Sequence, residues 1–536
     1  MWRFGTGPGS LTVIHGPFRT RGPPFDGVSS NLGCLMRFCL LLLAALPLSA
    51  QWPQFRGPNG SGVADAHNLP IQFGPGKNEV WAVDLPPGHS SPVIAGGRIF
   101  VTAVESESLV RISRDKAADS GQGKLWTICL DEATGKTLWR SQVPRPRREQ
   151  YQVTNSAASP SPVTDGRSVY VFFGDFGLVA FDWNGKEQWR LPLGPFNNMN
   201  GHGTSPILEG DLLVLLCDQD SGSFLIAVEK KTGRPRWRVE RPEITRGYAT
   251  PAIFRPADGP VEVIVPGAYL LVSYAVETGE KLWWVRGMSW HPKSAPVISR
   301  DMIYVHSWET GGEAETPTET PTFEATLEKY DTDQDGRLSR DELPERMRNS
   351  FADLDLDQNG FVDRREWDFY RARRAARNAL LAVRHGGRGD LTATNVVWSM
   401  QKFLPNVPSP LLYEDVLYIV KDGGILTSLD PATGKILKQA RLTGAPGTYY
   451  SSPVGADGKV YTISLEGKVT VIRSGAQWEV LGVDDLGEDT LATPAIDGDR
   501  IYIRTRTRLY CFANPTPRAS RANGKLGGRP GKVARQ

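Results

Sequence analysis

Cysteine is scarce in this chain: there are five in 536 residues, at positions 34, 39, 129, 217 and 511. None is adjacent to another and no Cys-x-x-Cys-His run occurs. A disulfide framework and a covalently attached c-type haem are therefore both excluded as organising features. Two of the three later cysteines stand where alanine stands in other copies of the repeat described below. They read as small buried hydrophobes. Neither sign of charge dominates, since 62 Lys and Arg against 59 Asp and Glu leave a net charge of +3. That balance argues against a nucleic-acid partner. Long helical periodicity is also rare, whereas Gly (56), Pro (40) and Trp (15) are plentiful. Such a mixture predicts many short strands joined by tight turns.

The most extended apolar run, Phe38–Leu48, has eleven residues, follows Met36-Arg37 and ends in Leu48-Ser49-Ala50. It is too short to span a bilayer and suits the core of a signal peptide. Residues 1–50 are therefore expected to be a signal region with its true start at Met36, and the mature chain is expected to begin near Gln51. Cys39 lies inside the apolar core, so no lipid anchor is indicated, and no transmembrane span is expected after cleavage.

Internal repetition sets the expected fold. A small residue and a proline precede an apolar strand at Pro92, Pro162, Pro206, Pro251, Pro296, Pro410, Pro453 and Pro494, and successive differences are 70, 44, 45, 45, 114, 43 and 41. Five of these gaps agree; the other two must hold insertions. A second strand follows each mark, for example Arg98–Thr102, Ser168–Phe172, Met302–His306, Lys459–Ile463 and Arg500–Arg504. A third carries a small residue, a hydrophobe and often an acid, as in Cys129-Leu-Asp131, Ala180-Phe-Asp182 and Ala227-Val-Glu229. A Thr-Gly or Asn-Gly turn commonly comes next, and four residues beyond its glycine stands Trp139, Trp189, Trp237 or Trp283, with Lys438 once in that place. Four strands repeated eight times predict an all-β, eight-bladed β-propeller. The last unit runs out near Phe512, and Asn78–Leu85 at the other end can supply its missing fourth strand. Closing the ring in this way removes free sheet edges. The propeller is expected over 51–308 and 380–513, with a disordered basic tail over 514–536.

The longest gap contains two twelve-residue loops, Asp331–Glu342 and Asp355–Glu366, each matching the EF-hand calcium loop at its constrained positions. Ca²⁺ takes six to eight oxygens at about 2.3–2.6 Å. The first loop offers Asp331, Asp333, Asp335, the Arg337 carbonyl, Ser339 and Glu342; the second offers Asp355, Asp357, Asn359, the Phe361 carbonyl, Asp363 and Glu366. Gly336 and Gly360 fall at the sharp bend, and Leu338 and Val362 are expected to pair the loops back to back. Only residues 343–354 separate them, enough for one shared helix roughly 18 Å long. Its apolar face would carry Leu343, Met347, Phe351 and Leu354. A shared helix suits a structural or weakly regulatory pair of calcium sites. The small α-helical insertion is expected over 309–379, inside blade five, behind a Thr/Pro/Glu-rich linker at 309–322. The acidic turn Cys217-Asp-Gln-Asp220 is too short to claim as a metal site.

Residues just before each Ser-Pro mark should ring one mouth of the channel. They include His89, His202, Tyr248, His291, Lys293, Tyr449, Tyr450 and Asp489, which are the candidate ligand-binding residues. They can equally serve loop carbonyls and bridging water. Histidines on different blades lie too far apart for a zinc site, where Zn–N is about 2 Å.

The recurrent small-hydrophobe-acid, Thr-Gly and Trp pattern resembles the repeat of the pyrrolo-quinoline-quinone (PQQ) propeller superfamily over residues 78–513, the insertion excepted. The opening Trp52-Pro-Gln-Phe-Arg-Gly-Pro58 is similar to the start of a secreted bacterial branch with this repeat. The resemblance implies a periplasmic or extracellular location. It also implies either a quinoprotein alcohol or sugar dehydrogenase or a non-catalytic scaffold of outer-membrane barrel assembly. Many such dehydrogenases carry an adjacent Cys–Cys disulfide over PQQ and hold a catalytic calcium at the ring centre. The disulfide is missing here, and the calcium-binding residues have no match. The expectation is therefore an exported, monomeric, calcium-binding propeller that binds or scaffolds a protein, glycan or envelope component. The alternative is a PQQ-dependent oxidoreductase. A hydrolase built on the mouth histidines and Asp489 ranks last, for want of a readable nucleophile and base.

Overall fold

The computed structural model describes residues 52–105, 123–309, 312 and 319–515, together with the backbone alone of 109–111 and 116–119. The expected signal region, most of the 309–322 linker and nearly all of the 514–536 tail lie outside the described residues.

Eight sheets of four antiparallel core strands make an all-β propeller. Blade one is Val93–Ala95, Arg98–Val104, Leu125–Asp131 and Thr137–Val143, in that order from the axis outward. Apolar side chains fill both faces of the middle strands, so these read as continuous hydrophobic runs: every residue of Leu212–Cys217 and of Leu270–Ala275 is buried. The outermost strands alternate, as in Glu187–Pro192, because only one face of the rim is covered. Cys129, Cys217 and Cys511 are free thiols buried in these layers. The 70-residue gap is taken up partly by a three-stranded sheet, Leu109–Arg111, Lys116–Asp119 and Gln150–Gln152.

The ring closes with chain from both ends. Glu79–Asp84 pairs antiparallel with Arg508–Ala513, Ala82 opposite Tyr510, and so becomes the outer strand of blade eight. The expected span, Asn78–Leu85, is one residue longer at each end.

Two circumferential systems bind blade to blade. At the rim, five of the eight outer strands carry an indole that lies on the turn glycine of the next blade. A Cβ at Gly185 would fall 2.5 Å from the Trp139 ring, so only glycine lets the two meet. The indole N–H then donates to that turn's carbonyl: Trp81 to Glu132 (3.1 Å), Trp139 to Trp183 (3.0 Å), Trp189 to Lys230 (2.8 Å), Trp237 to Val276 (2.8 Å) and Trp398 to Pro431 (2.9 Å). Lys438, at the equivalent place in blade six, donates to the Trp478 carbonyl at 2.6 Å.

At the axis, the Ser or Thr of each Ser-Pro mark accepts a hydrogen bond from the backbone N–H of the preceding mark. Ser91 donates to Ser161 (2.9 Å), Ser161 to Ser205 (2.9 Å), Ser205 to Thr250 (3.0 Å), Ala295 to Ser409 (3.0 Å), Ser409 to Ser452 (3.0 Å), Ser452 to Thr493 (3.1 Å) and Thr493 back to Ser91 (2.9 Å). The one gap is at Ala295, which has no hydroxyl to offer Thr250.

The segment Trp52–Val63 crosses the channel. Trp52 exchanges backbone hydrogen bonds with Ile94 of blade one (3.0 and 2.8 Å). The Asn59 amide does the same with Ile253 of blade four (2.7 and 2.9 Å), and the buried Arg56 guanidinium donates to the Pro410 carbonyl of blade six at 2.7 Å. Val63 bridges to Gly455 of blade seven.

The insertion leaves blade five between Met302–Ser307 and Ala379–Arg384. It contains helix α1 (Phe323–Tyr330), a one-turn helix α2 (Glu345–Arg348), a 3₁₀ turn at Phe351–Asp353 and helix α3 (Arg364–Ala375). Residues 343–354 are thus not the single shared helix expected. Pro344 fixes the start of α2, and the Arg348 side chain takes the Leu343 and Asp341 carbonyls (2.7 and 2.6 Å), which folds the chain back into a second turn. The expected apolar face still holds, with Leu343, Met347 and Leu354 buried and Phe351 partly so, against Phe323 and Trp367.

Candidate functional site

The axial hydroxyls form the floor of a cavity of about 480 Å³ that opens at the mouth. His89, Tyr248, His291, Lys293 and Tyr450 line it, as do Asn155, Asn200, Asn406, Trp308 and Glu309. Phe55, from the segment that crosses the channel, closes part of it. Three of the expected mouth residues are elsewhere. His202 is buried between Phe196 and Phe172, with ring centroids 4.4 and 5.3 Å away. Tyr449 is buried with its hydroxyl donating to the Ala445 carbonyl at 2.8 Å. Asp489 is exposed, and its carbonyl accepts from the Arg506 N–H at 2.9 Å.

Burial in the cavity wall lowers the two imidazoles and the lysine that line it. Burial, with Arg504 and Arg506 nearby, lowers His89 to about 3. His291 is pushed well below the usual imidazole range by burial and by Arg246, Lys293 and Arg373. Lys293 is lowered to about 8 by burial; its ammonium donates to Asn406 Oδ1 at 2.9 Å. Glu309 is engaged on both oxygens, with Arg373 at 2.6 Å and His291 Nδ1 at 3.6 Å. Tyr248 accepts from the Asn200 amide at 2.7 Å.

This donor set does not fit a calcium-bound quinone at the axis. A calcium there needs several oxygen ligands, carboxylates among them. The cavity offers one carboxylate, already paired with a guanidinium. Nor does any lining serine or threonine sit beside a histidine as a nucleophile beside its base: the axial hydroxyls accept backbone N–H bonds instead. Among the described residues, carboxylates gather closely enough to hold a metal only in the two acidic loops.

In those loops Asp331, Asp333 and Asp335 present oxygens within 4.8 Å of one another, and so do Asp355, Asp357 and Glu366. Gly336 and Gly360 bend at φ 78° and 91°. Leu338 pairs with Val362 and Ser339 with Phe361 in a short antiparallel bridge, both apolar members fully buried. Each terminal glutamate folds back over its loop. Glu342 accepts from the Thr332 and Ser339 N–H groups at 2.9 and 2.8 Å, and these bonds hold its carboxyl at about 2. Glu366 accepts from Leu356, Asp357 and Asp363 at 2.7, 3.1 and 2.9 Å, but its burial raises it to about 7. A buried carboxylate crowded by others is what a divalent cation would stabilise. Donor type, spacing and bend all fit calcium, with the Arg337 and Phe361 carbonyls, Ser339, Asn359 and Asp363 completing the sets.

The Asp218–Asp220 turn is accounted for by arginine. Asp218 pairs with Arg241 through two contacts of 2.8 and 3.1 Å, all four atoms inaccessible, and Asp220 pairs with buried Arg246.

What the sequence missed at this site are three asparagines in the same loops that lead into Ser-Pro marks, and one residue of the insertion. Asn406, Asn155 and Asn200 come from irregular turns, and Glu309 stands where a linker was expected. The hydroxyl ring was visible as eight repeated marks, but not as a set of hydrogen bonds.

A family described as outer membrane protein assembly factor BamB matches residues 74–217, 123–283 and 222–523. No curated protein matches. Among solved structures, BamB from Moraxella catarrhalis is similar at 13% identity, covering 81% of this chain and 97% of its own, with a TM-score of 0.48. Quinohemoprotein alcohol dehydrogenase from Comamonas testosteroni is similar at 12% identity, covering 87% and 80%, TM-score 0.50. The corresponding ADHIIG enzyme from Pseudomonas putida HK5 is 11% identical over 87% and 80%, TM-score 0.52. At such identities the structures share the fold alone. With matches that together run from residue 74 to residue 523, the chain belongs to the BamB-type family of PQQ-like repeat propellers.

Proposed function

We propose that this protein is an exported, calcium-binding propeller that acts as a binding or scaffolding module in the cell envelope or outside the cell. It offers the rim of its central cavity to a protein, glycan or envelope component. The observation that carries this reading is the chemistry of the cavity: hydroxyls, amides and aromatics from many blades converge there, without a metal-binding carboxylate cluster or a nucleophile-base pair. The family description, an assembly factor, favours a scaffold over a catalyst. Among the described residues no helix is long and apolar enough to cross a membrane. Export rests on the apolar run at Phe38–Leu48. Calcium would be held by Asp331, Asp333, Asp335, Ser339 and Glu342 in one loop and by Asp355, Asp357, Asn359, Asp363 and Glu366 in the other.

The test is calorimetric Ca²⁺ titration of the protein beginning at Gln51 and of its Glu342→Gln/Glu366→Gln form. Two sites are expected in the first, at a dissociation constant of about 10⁻⁴–10⁻³ M, and neither in the second. Tight calcium that survives both substitutions would place the metal elsewhere and overturn the assignment. Dye-linked alcohol or sugar oxidation after addition of PQQ would overturn the scaffold reading and establish the oxidoreductase.

A further inference from the structure

The two acidic loops are not equivalent in how they meet the propeller. Among the described residues the first loop makes no hydrogen bond or ion pair to a blade. The second is tied down on both sides and in its middle. Just before it, Asp353 faces Arg246 at 3.9 Å. Within it, the Leu356 carbonyl accepts from Asn197 Nδ2 at 2.5 Å and Gln358 Nε2 donates to Asn197 Oδ1 at 2.8 Å. The helix that follows, α3, is capped by Asp363 and Glu366 of the loop itself. It donates from Arg365 to the Pro242 carbonyl at 3.3 Å, accepts from the Tyr269 hydroxyl on the Phe369 carbonyl at 3.2 Å, and pairs Arg373 with Glu309 at 2.6 Å.

Three of these ties, through Asn197, Arg246 and Arg373, lead into the cavity wall. Asn197 is itself fixed to blade three by its N–H on Gln219 (2.8 Å), by Ser221 (2.8 Å) and by the Asp220 N–H on its carbonyl (2.8 Å). Three residues on, Asn200 lines the cavity and donates to Tyr248. Arg246, which Asp353 faces, lies over the Trp290 ring at 4.8 Å, and Arg373 lies over the same ring at 3.9 Å. Trp290 lies in turn against His291, 3.8 Å between centroids with the rings tilted by 38°, and His291 faces Glu309. Trp290 and Arg246 are both buried, so this packing has little room to adjust independently.

We propose that calcium in the second loop governs the cavity: binding there orders the wall formed by Asn197–Gly203 and Ser289–Lys293, while the first loop serves only to pair with the second. This inference rests on the calcium reading above. Without the cation, the carboxylates of Asp355, Asp357 and Glu366 repel one another, the loop loosens, and the Leu356 carbonyl and Gln358 amide no longer hold Asn197 in one place. By linkage, a ligand that needs the ordered wall tightens calcium by the same factor that calcium tightens the ligand. Asn197 and Arg373 are positioning residues, acting on the cavity through others.

The experiment is hydrogen–deuterium exchange of the full protein, read peptide by peptide with and without saturating calcium, beside the calorimetric titration. Calcium is expected to slow exchange in peptides covering 197–203 and 289–293 by about tenfold, towards the lower end of the usual range for coupled sites. Glu366→Gln abolishes that protection. Glu342→Gln lowers the calcium count but leaves the protection in place. Asn197→Ala still titrates two calcium ions, as its heat shows, yet loses the protection at 197–203, which a merely local calcium site would not do. Two bound calcium ions with no change in either peptide would overturn the coupling while leaving the calcium sites standing. A titration without heat or saturation would overturn both.

Discussion

Lowering the pH from 7.5 to 5.0 should destabilise this protein, and His202 alone should account for about 2 kcal/mol of the loss. The ring is 4% exposed, is enclosed by Phe172 and Phe196, and has neither nitrogen hydrogen-bonded. Burial, with Arg147 adding its charge, lowers the group to about 3. In the unfolded chain the same imidazole titrates near 6.5. Below that value the unfolded state takes up a proton that the folded state refuses. The contribution is therefore complete above about pH 6.5 and is lost as pH falls towards 3. At pH 5 the unfolded form gains a factor of about 30, which is the 2 kcal/mol stated. The assay is urea unfolding of the wild type and His202→Leu at both pH values. Leucine carries no proton, and whatever it costs in packing is present at both values and cancels. The wild type should lose about 2 kcal/mol more than the variant between them. His89, His291 and His306 are also held low by burial, but they remain in both proteins. Equal losses would show that His202 is already solvated or hydrogen-bonded, and would refute the account of its burial.

Trp81→Ala removes the indole that seats the closing strand on the Gly135 turn, and should cost about 3–5 kcal/mol. Limited proteolysis of that variant should cut first near residues 85–89, where the strand leaves the sheet. If Trp81→Ala unfolds no more easily than the wild type, the ring is not held shut at this seam. At the axis, Ser161→Ala strips the Ser91 N–H of its acceptor and should cost about 1–3 kcal/mol in thermal or urea unfolding. Ala295→Ser restores the missing member of the hydroxyl ring and should stabilise by about 1 kcal/mol. A neutral result at both positions would mean that water serves those N–H groups equally well.

The repeat was legible because a propeller makes the same local demands eight times. Each blade needs a small residue and a proline where its inner strand begins and a run buried on both faces, and five of the eight add an aromatic laid across a turn glycine with left-handed φ. These demands fall on neighbours in sequence, so they leave marks at nearly constant spacing. Blade five shows the limit. Its Trp398 does the same work as Trp139, but an eleven-residue stretch from His385 to Asn395 replaces the short turn and hides the pattern. Trp81 was hidden as well, because it lies ahead of the first mark and serves the last blade.

The site was legible only in part. Tyr248, His291 and Lys293 reach the cavity as their place in the repeat implied, whereas His202, at the equivalent position in blade two, turns into an aromatic pocket. Position in a repeat fixes where a backbone passes; it does not fix which way a side chain points when the loop carrying it has its own contacts.

Sequence alone therefore determined the wheel, the strand that shuts it and the two acidic loops, since each is specified by residues a few positions apart or by a repeated spacing. Tertiary structure decided the rest. It brought residues 59 and 253, 197 and 356, and 309 and 373 together, which made a blocked channel, a walled cavity and a docked second loop. No spacing records such meetings, because their partners are set by how loops of different length come to rest on a shared core.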